Sequence, residues 1–194
     1  MEYENLKQSF NAVSPITEED WQMLEPQLHT HTFLKEENYL HPGQTEQHIG
    51  FITKGSFRWY FINEKGEEVN FHFFMDNNFV VEFESFISQR PSNMYIQAME
   101  DSVVIMLPDR KGILELYTSS HHWSEFGRKI AESVYLASAG RVQDFLFRNA
   151  EERYIQLLKQ HPDIFQRVSL THISSYLGVQ GPSLSRIRKR ISKS

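Results

Sequence analysis

A group of side chains close to the C-terminus has the types and spacing needed to hold a nucleic acid. Arg186 and Lys189 are three residues apart. At about 100° per residue they share a helical face with Pro182, opposite Leu184, Ile187 and Ile191, with Ser183, Ser185 and Arg190 flanking. Guanidinium and ammonium groups neutralise phosphates, and hydroxyls bond to phosphate oxygens or base edges. Ser169 and Gln180, ahead of the two short helices that this stretch predicts, add a hydroxyl and an amide. A second constellation lies far upstream. His29, His31 and Glu36 offer two imidazoles and a carboxylate within eight residues, donor types that can hold iron, manganese or zinc.

The elements that must position the first group are legible. Ile173 and Leu177 are four apart, as one face of a short helix requires, and Ser169 is a natural N-cap ahead of them. Gly178 suits a left-handed helix stop. Pro182 sits in the next first turn, where its missing N–H costs nothing. Leu184, Ile187 and Ile191 supply a second apolar stripe. Two amphipathic helices around a glycine turn make a helix-turn-helix, and the small Ser174 in the first helix fits that packing. Residues 163–194 hold six Lys/Arg and one Asp, a net +5, against −10 for the other residues. A basic end on an acidic chain is the electrostatic footprint of a DNA reader.

Composition removes several alternatives. The 194 residues contain no cysteine, which excludes disulfides, thiolate nucleophiles and cysteine-held zinc or iron–sulfur clusters. No apolar run approaches the ~20 residues of a membrane span. The start MEYENLKQSF lacks the basic and apolar blocks of a signal peptide, so a cytoplasmic protein is expected. Neither a catalytic triad nor a phosphate-binding P-loop pattern is present.

In chain order, residues 1–28 read as helical, with a Thr17–Asp20 capping pattern and a stop at Pro26. Short β-rich runs follow at His31–Leu34, Gly50–Thr53, Ser56–Phe61, Val69–Phe74, Phe79–Val81, Met94–Ala98 and Ser102–Leu107. Pro42-Gly43, Lys54-Gly55, Lys65-Gly66 and Asp76-Asn77-Asn78 punctuate them. Glu36-Glu37-Asn38 reads as a turn. Such spacing predicts a jelly roll or barrel. From Trp123 to Leu146 apolar residues recur at three and four, which predicts a helix of about 24 residues and about 36 Å. A helix that long calls for a second copy of itself as partner, the alternative being that it lies across the β domain of its own chain. A further helix, Ala150 to Lys159, leads to the terminal pair. The fold class is therefore α+β: a jelly-roll-like β-roll over 1–118, a dimerisation helix over 119–148, and a helix-turn-helix over 149–194.

This order resembles the Crp/Fnr superfamily of bacterial transcription regulators. The resemblance rests on Pro42-Gly43, Ile52-Thr53-Lys54-Gly55, Ala150-Glu151-Glu152-Arg153-Tyr154, Tyr176-Leu177-Gly178-Val179 and Leu184-Ser185-Arg186-Ile187-Arg188. It implies a cyclic-nucleotide-binding-like roll that senses a small molecule, a homodimer through the long helix, and terminal helices that read palindromic double-stranded DNA and help recruit RNA polymerase. It also implies that Arg186 reaches a base edge, typically guanine. Gly181-Pro182 stands where the family usually has Arg-Glu, so the operator need not follow the familiar one. No cofactor is called for beyond a possible small-molecule effector.

Cyclic-nucleotide binders of that family carry Gly-Glu and later Arg-Ser. Here those positions read Val81-Glu82 and Ser92-Asn93, with Ser138 of the long helix as a further pocket residue. A phosphate would meet no guanidinium, so cyclic AMP is not the expected effector, and flanking runs such as Phe71–Met75 suggest an apolar cavity. The His29-Thr30-His31 and Glu36 spacing, with Gly43, also resembles the metal motif of cupin enzymes. Met23 stands at that motif's leading glycine and no second motif follows. Nine histidines make chance pairs common.

Overall fold

Alternation with a period of two builds the first half of the structure, a computed structural model that describes residues 3–191. Eight strands form two four-stranded sheets, ordered β1-β8-β3-β6 and β2-β7-β4-β5. They span His29–Phe33 (β1), Asn38–Leu40 (β2), Gly50–Lys54 (β3), Phe57–Ile62 (β4), Glu68–Phe74 (β5), Phe79–Val80 (β6), Tyr95–Ala98 (β7) and Ser102–Met106 (β8). β8 pairs antiparallel with β1, Ile105 opposite Thr30, and with β3, Ile105 opposite Phe51. All eight strands feed one core, including Phe33, Leu40, Phe57, Phe74, Val80 and Ile96. In β3 and β8 successive residues split between two cores. Ile52 and Val104 enter the roll interior, while Phe51 and Ile105 pack against helices. A sheet covered on both faces reads as a continuous apolar run, as these strands do. Gly55, at φ 110°, ends β3, and a Cβ there would stand 2.1 Å from Ser102 Oγ.

The helical core is aromatic. The helices are α1 (Glu4–Val13), α2 (Glu18–Leu24), α3 (Phe83–Ser88), α4 (Arg110–Ser119) and the start of α5 (His121–Phe147). The Phe10 ring lies 4.6 Å from Phe126 and 5.4 Å from Trp123 between centroids. Thr17 and Asp20 form the expected capping box, and Asp20 also takes His122 Nδ1 at 2.9 Å. The N-terminal stretch is thus two helices and a 3-10 turn, Glu25–Gln27, with Pro26 inside that turn rather than ending a helix. β2, α3 and α4 were not among the expected elements. β2 and α3 are too short to show a period, and α4 is broken in pattern by Gly112.

Helical periodicity builds the rest. The fold divides into two compact units: one runs to Trp59 and resumes over Phe73–Tyr135, the other is Tyr60–His72 with the chain from Leu136 onward. The second unit holds the tip of the β4–β5 hairpin, the end of α5, α6 (Ala150–Gln160), α7 (Ile164–Arg167), α8 (Leu170–Tyr176) and α9 (Gly181–Ile191). Tyr154, Leu157, Ile164, Val168, Ile173, Leu177, Leu184 and Ile187 are buried there. Asn149 caps α6 with a reciprocal Glu152 bond, and Ser169 caps α8 by accepting the His172 N–H at 3.2 Å.

The end of α8 is held by two arginines. Arg141 of α5 lies 3.7 Å over the Tyr176 ring and donates to the Tyr176 carbonyl at 2.5 Å. Arg153 of α6 donates twice to the Leu177 carbonyl, at 2.9 and 3.2 Å. Both satisfy carbonyls that a helix end leaves open. On its other side Ser175 meets β5, the edge strand of its sheet. Its hydroxyl accepts the Asn70 N–H at 2.9 Å and donates to the Glu68 carbonyl at 2.8 Å, as a neighbouring strand would.

Gly178 follows at φ 66°, and a Cβ there would lie 2.9 Å from Phe145 Cε1. Gly178→Ala should therefore cost the helical unit about 1–2 kcal/mol from the left-handed backbone alone, read as faster hydrogen exchange in α8 and α9. His72 supplies a pH dependence. Burial, with His161 and Arg141 nearby, lowers it to about 4. The unfolded chain binds its proton near pH 6.5, so stability from this residue is complete above that and falls as pH drops toward 4. Thermal unfolding should show that loss, and His72→Gln should remove it.

Candidate nucleic-acid interface and effector cassette

α9 presents its two faces as its pattern requires. Leu184 and Ile187 are buried, while Pro182, Ser185, Arg186, Lys189 and Arg190 are exposed and Ser183 is half-buried. Gln180 precedes the helix in the turn, exposed, with its carbonyl accepting the Ser183 and Leu184 N–H groups. Ser169 is exposed, but its oxygen is committed to the α8 cap. The Arg186 guanidinium folds along its own helix, 3.3 Å from the Pro182 carbonyl and 3.4 Å from Ser183 Oγ. Ser185 donates to the Gly181 carbonyl at 3.2 Å. These bonds are weak and solvent-facing, so a phosphate or base edge can replace them. Arg190 differs. Its Nη1 sits 2.5 Å from Glu151 Oε2 of α6, which ties it to its own unit. Ser185, Arg186 and Lys189 thus share the exposed face of α9, with Gln180 and the half-buried Ser183 at its start.

The long helix has two environments. Trp123 and Phe126 are buried in the core of the first unit and Ile130 packs against it. A seam running from Trp123 is therefore corrected: that part of α5 is already covered by its own chain. Further along the stripe is open. Tyr135 is 72% exposed, Val142 58% and Leu146 71%, spaced at seven and four with Ala139 between. That is the a/d spacing of a coiled-coil seam.

Glu82, Ser92 and Asn93 belong to one corner of the roll. Glu82 is 4% exposed and caps α3, its Oε2 accepting the Ser85 N–H at 2.8 Å. Burial raises it above the usual carboxylate range, while a Ser92 hydroxyl bond opposes that shift. Ser92 is buried and its Oγ accepts the Met94 N–H at 3.0 Å. Asn93 is exposed. Ser138 lies in the other unit, on an exposed stretch of α5. The residues expected to line an apolar cavity instead fill the roll: Phe74 and Ile96 are part of its packed core, with Trp59 stacked on Phe74 at 6.3 Å.

Glu46 was missed. It sits in the β2–β3 loop beside Glu82, and burial pushes it up to about 7. A single polar residue between Thr45 and Gln47 gives no signal of burial. Arg141, Ser175 and Arg153 carry the helix-turn-helix docking, and of these only Arg153 lay within a motif.

The metal reading is not supported. His29 and His31 are exposed on one face of β1, and the His31 ring rests 4.4 Å from Phe33. Glu36, at φ 71°, lies beyond the strand end in a turn. Among the described residues no group of three metal-type donors is brought together.

The family model of the cyclic nucleotide-binding domain matches residues 30–120. A search of curated proteins finds no match. Solved structures do match across most of the chain. FixK2 from Bradyrhizobium japonicum has a TM-score of 0.71 at 15% identity, covering 86% of this chain and 85% of that one. The c-di-GMP-responsive global regulator CLP of Xanthomonas campestris has a TM-score of 0.68 at 13% identity, covering 91% and 92%. A protein assigned to the Crp/Fnr family of transcriptional regulators, from Eubacterium rectale, has a TM-score of 0.70 at 11% identity, covering 91% and 84%. Residues 30–120 thus match the cyclic nucleotide-binding domain family, and the chain shares its fold with these three solved structures, one of them assigned to the Crp/Fnr family.

Proposed function

We propose that this protein is a sequence-specific, DNA-binding transcription regulator of the Crp/Fnr type, acting as a homodimer and not responding to cyclic AMP. The observation that carries the reading is α9. An exposed face of cations and hydroxyls stands opposite a buried apolar stripe, on a terminal segment of opposite charge to the rest of the chain. Such a helix fits the major groove, with Arg186 placed for a base edge and Lys189 for phosphate. A dimer follows from the open stripe Tyr135, Ala139, Val142 and Leu146, because paired half-sites need paired readers. RNA polymerase is the further partner the resemblance implies, and the cytoplasm the place. No helix among the described residues is long and apolar enough to cross a membrane.

The reading against cyclic AMP rests on the corner of the roll. No guanidinium stands at Ser92 or Asn93, and the Ser92 hydroxyl is already engaged. The Xanthomonas neighbour is described as responsive to c-di-GMP. That effector carries two phosphates, and among the described residues no cation stands at Ser92 or Asn93 or pairs with Glu82.

Arg186→Ala should lower affinity for a selected operator by about 1–3 kcal/mol and flatten discrimination at one base pair per half-site. Lys189→Ala should weaken all sequences alike and reduce the salt slope by about one. Fluorescence anisotropy across a salt series checks both, and unchanged binding and discrimination in the two variants would refute the assignment. For assembly, Val142→Glu with Leu146→Glu should give monomers by analytical ultracentrifugation and greatly weaken operator binding. A wild-type protein that sediments as a monomer at micromolar concentration contradicts the dimer.

A further inference from the structure

The loop between β2 and β3 carries a charge that DNA binding and dimerisation leave without a task. Glu46 is 4% exposed. Its Oε1 accepts the Gln47 and His48 N–H groups at 3.1 and 3.2 Å, and its Oε2 the Glu82 N–H at 3.4 Å. Its own N–H donates to Ser85 Oγ at 3.0 Å, and its carbonyl accepts Gln89 Nε2 at 3.4 Å. Three backbone N–H groups reach the carboxylate, while the Ser85 hydroxyl and the Gln89 amide hold the main chain of the same residue.

Charged and titratable groups flank Glu46 on β2, α3 and α4, with His48 beside it in the loop. From β2 comes Tyr39, whose hydroxyl bonds the His48 carbonyl and which burial holds well above its usual range. Glu82 and Glu84 stand at the start of α3. Arg110 of α4 sends Nε to the Phe86 carbonyl, and Arg90 is exposed. Among the described residues no cation pairs with Glu46 or Glu82, and burial raises both. The remaining donors are spent internally. Ser85 Oγ donates to the Arg90 carbonyl at 2.5 Å, and Ser92 bonds Glu82.

We propose that Glu46, whose carboxyl group three backbone N–H groups hold, is a resident acidic group in the cassette of Glu82, Ser85 and Ser92, and that in its ionised form it excludes phosphate-bearing effectors from the roll. The proposal rests on the reading of that cassette as the effector position. A phosphate arriving there meets two carboxyl groups, whose ionised forms repel it, and the Ser85 and Ser92 hydroxyls are already engaged. Like charges a few ångströms apart in a low-dielectric corner repel strongly. The ligand class that the corner can take is a neutral or cationic hydrogen-bond donor.

The test places a cation at Ser92. In protein carrying 13C-carboxyl glutamate, the Glu46 resonance is assigned by its loss in Glu46→Gln and titrated in wild type and in Ser92→Arg, with Ser92→Lys as a second variant. A guanidinium at that position should pair with Glu46 and lower its midpoint by at least one pH unit. Cyclic AMP, titrated by calorimetry, should not bind wild type. It should bind Ser92→Arg/Glu46→Gln at least tenfold more tightly than Ser92→Arg. An unmoved midpoint in both cationic variants, or equal cyclic AMP affinity of Ser92→Arg and the double variant, would overturn the proposal. A shifted midpoint with no binding by the double variant contradicts the cassette reading itself, and the excluding role falls with it.

Discussion

The placement of α9 depends on the capping of one helix end. The carbonyls of Tyr176 and Leu177 finish α8, and without partners they would be open polar groups beside a buried apolar core. Arg141 and Arg153 supply those partners from two other helices, with Phe145 between them at 4.5 and 4.8 Å from the two guanidiniums. Delocalised cations suit the place, since each lies on an aromatic ring while donating to a carbonyl at the negative end of a helix dipole. This arrangement fixes where the chain turns at Gly178 and hence the direction in which α9 leaves. Ser175 anchors the other side of α8 to the edge of β5. The face of Arg186 and Lys189 is positioned by groups on α5, α6 and β5.

The roll follows a different constraint. Its sheets are packed tightly on the inside, and β3 and β8 are covered on the outside as well, so the polar chemistry is confined to a loop corner. Carboxyl groups occupy that corner, backbone N–H groups are turned onto one of them, and among the described residues no cation pairs with either. If Glu46 excludes phosphate as proposed, the same architecture is retained while its ligand chemistry changes.

How much of this was legible depends on the range of the interaction. Seven strands and the helices α5, α6, α8 and α9 were readable because alternation, periodicity, the Ser169 cap and Gly178 are local signals. β2 was hidden because Asn38 follows a turn and the strand has three residues. The candidate DNA face was visible because hydrophobic and cationic residues alternate within one helix. Glu46 was not, since its burial is decided by Glu82 and Ser85, which lie 36 and 39 residues further on. The open part of the α5 stripe was likewise hidden. Trp123 and Leu146 look alike in sequence, and only packing with Phe10 sets the first apart.

The central claim is that α9 reads DNA from a symmetric pair of chains. Selection of bound sequences from a random DNA pool by the full-length protein tests it most directly. The account predicts enrichment of an inverted repeat whose half-site centres lie one helical turn, about 10 base pairs, or a multiple of it apart. A pool that stays random, or that converges on a single unrepeated site, would contradict it.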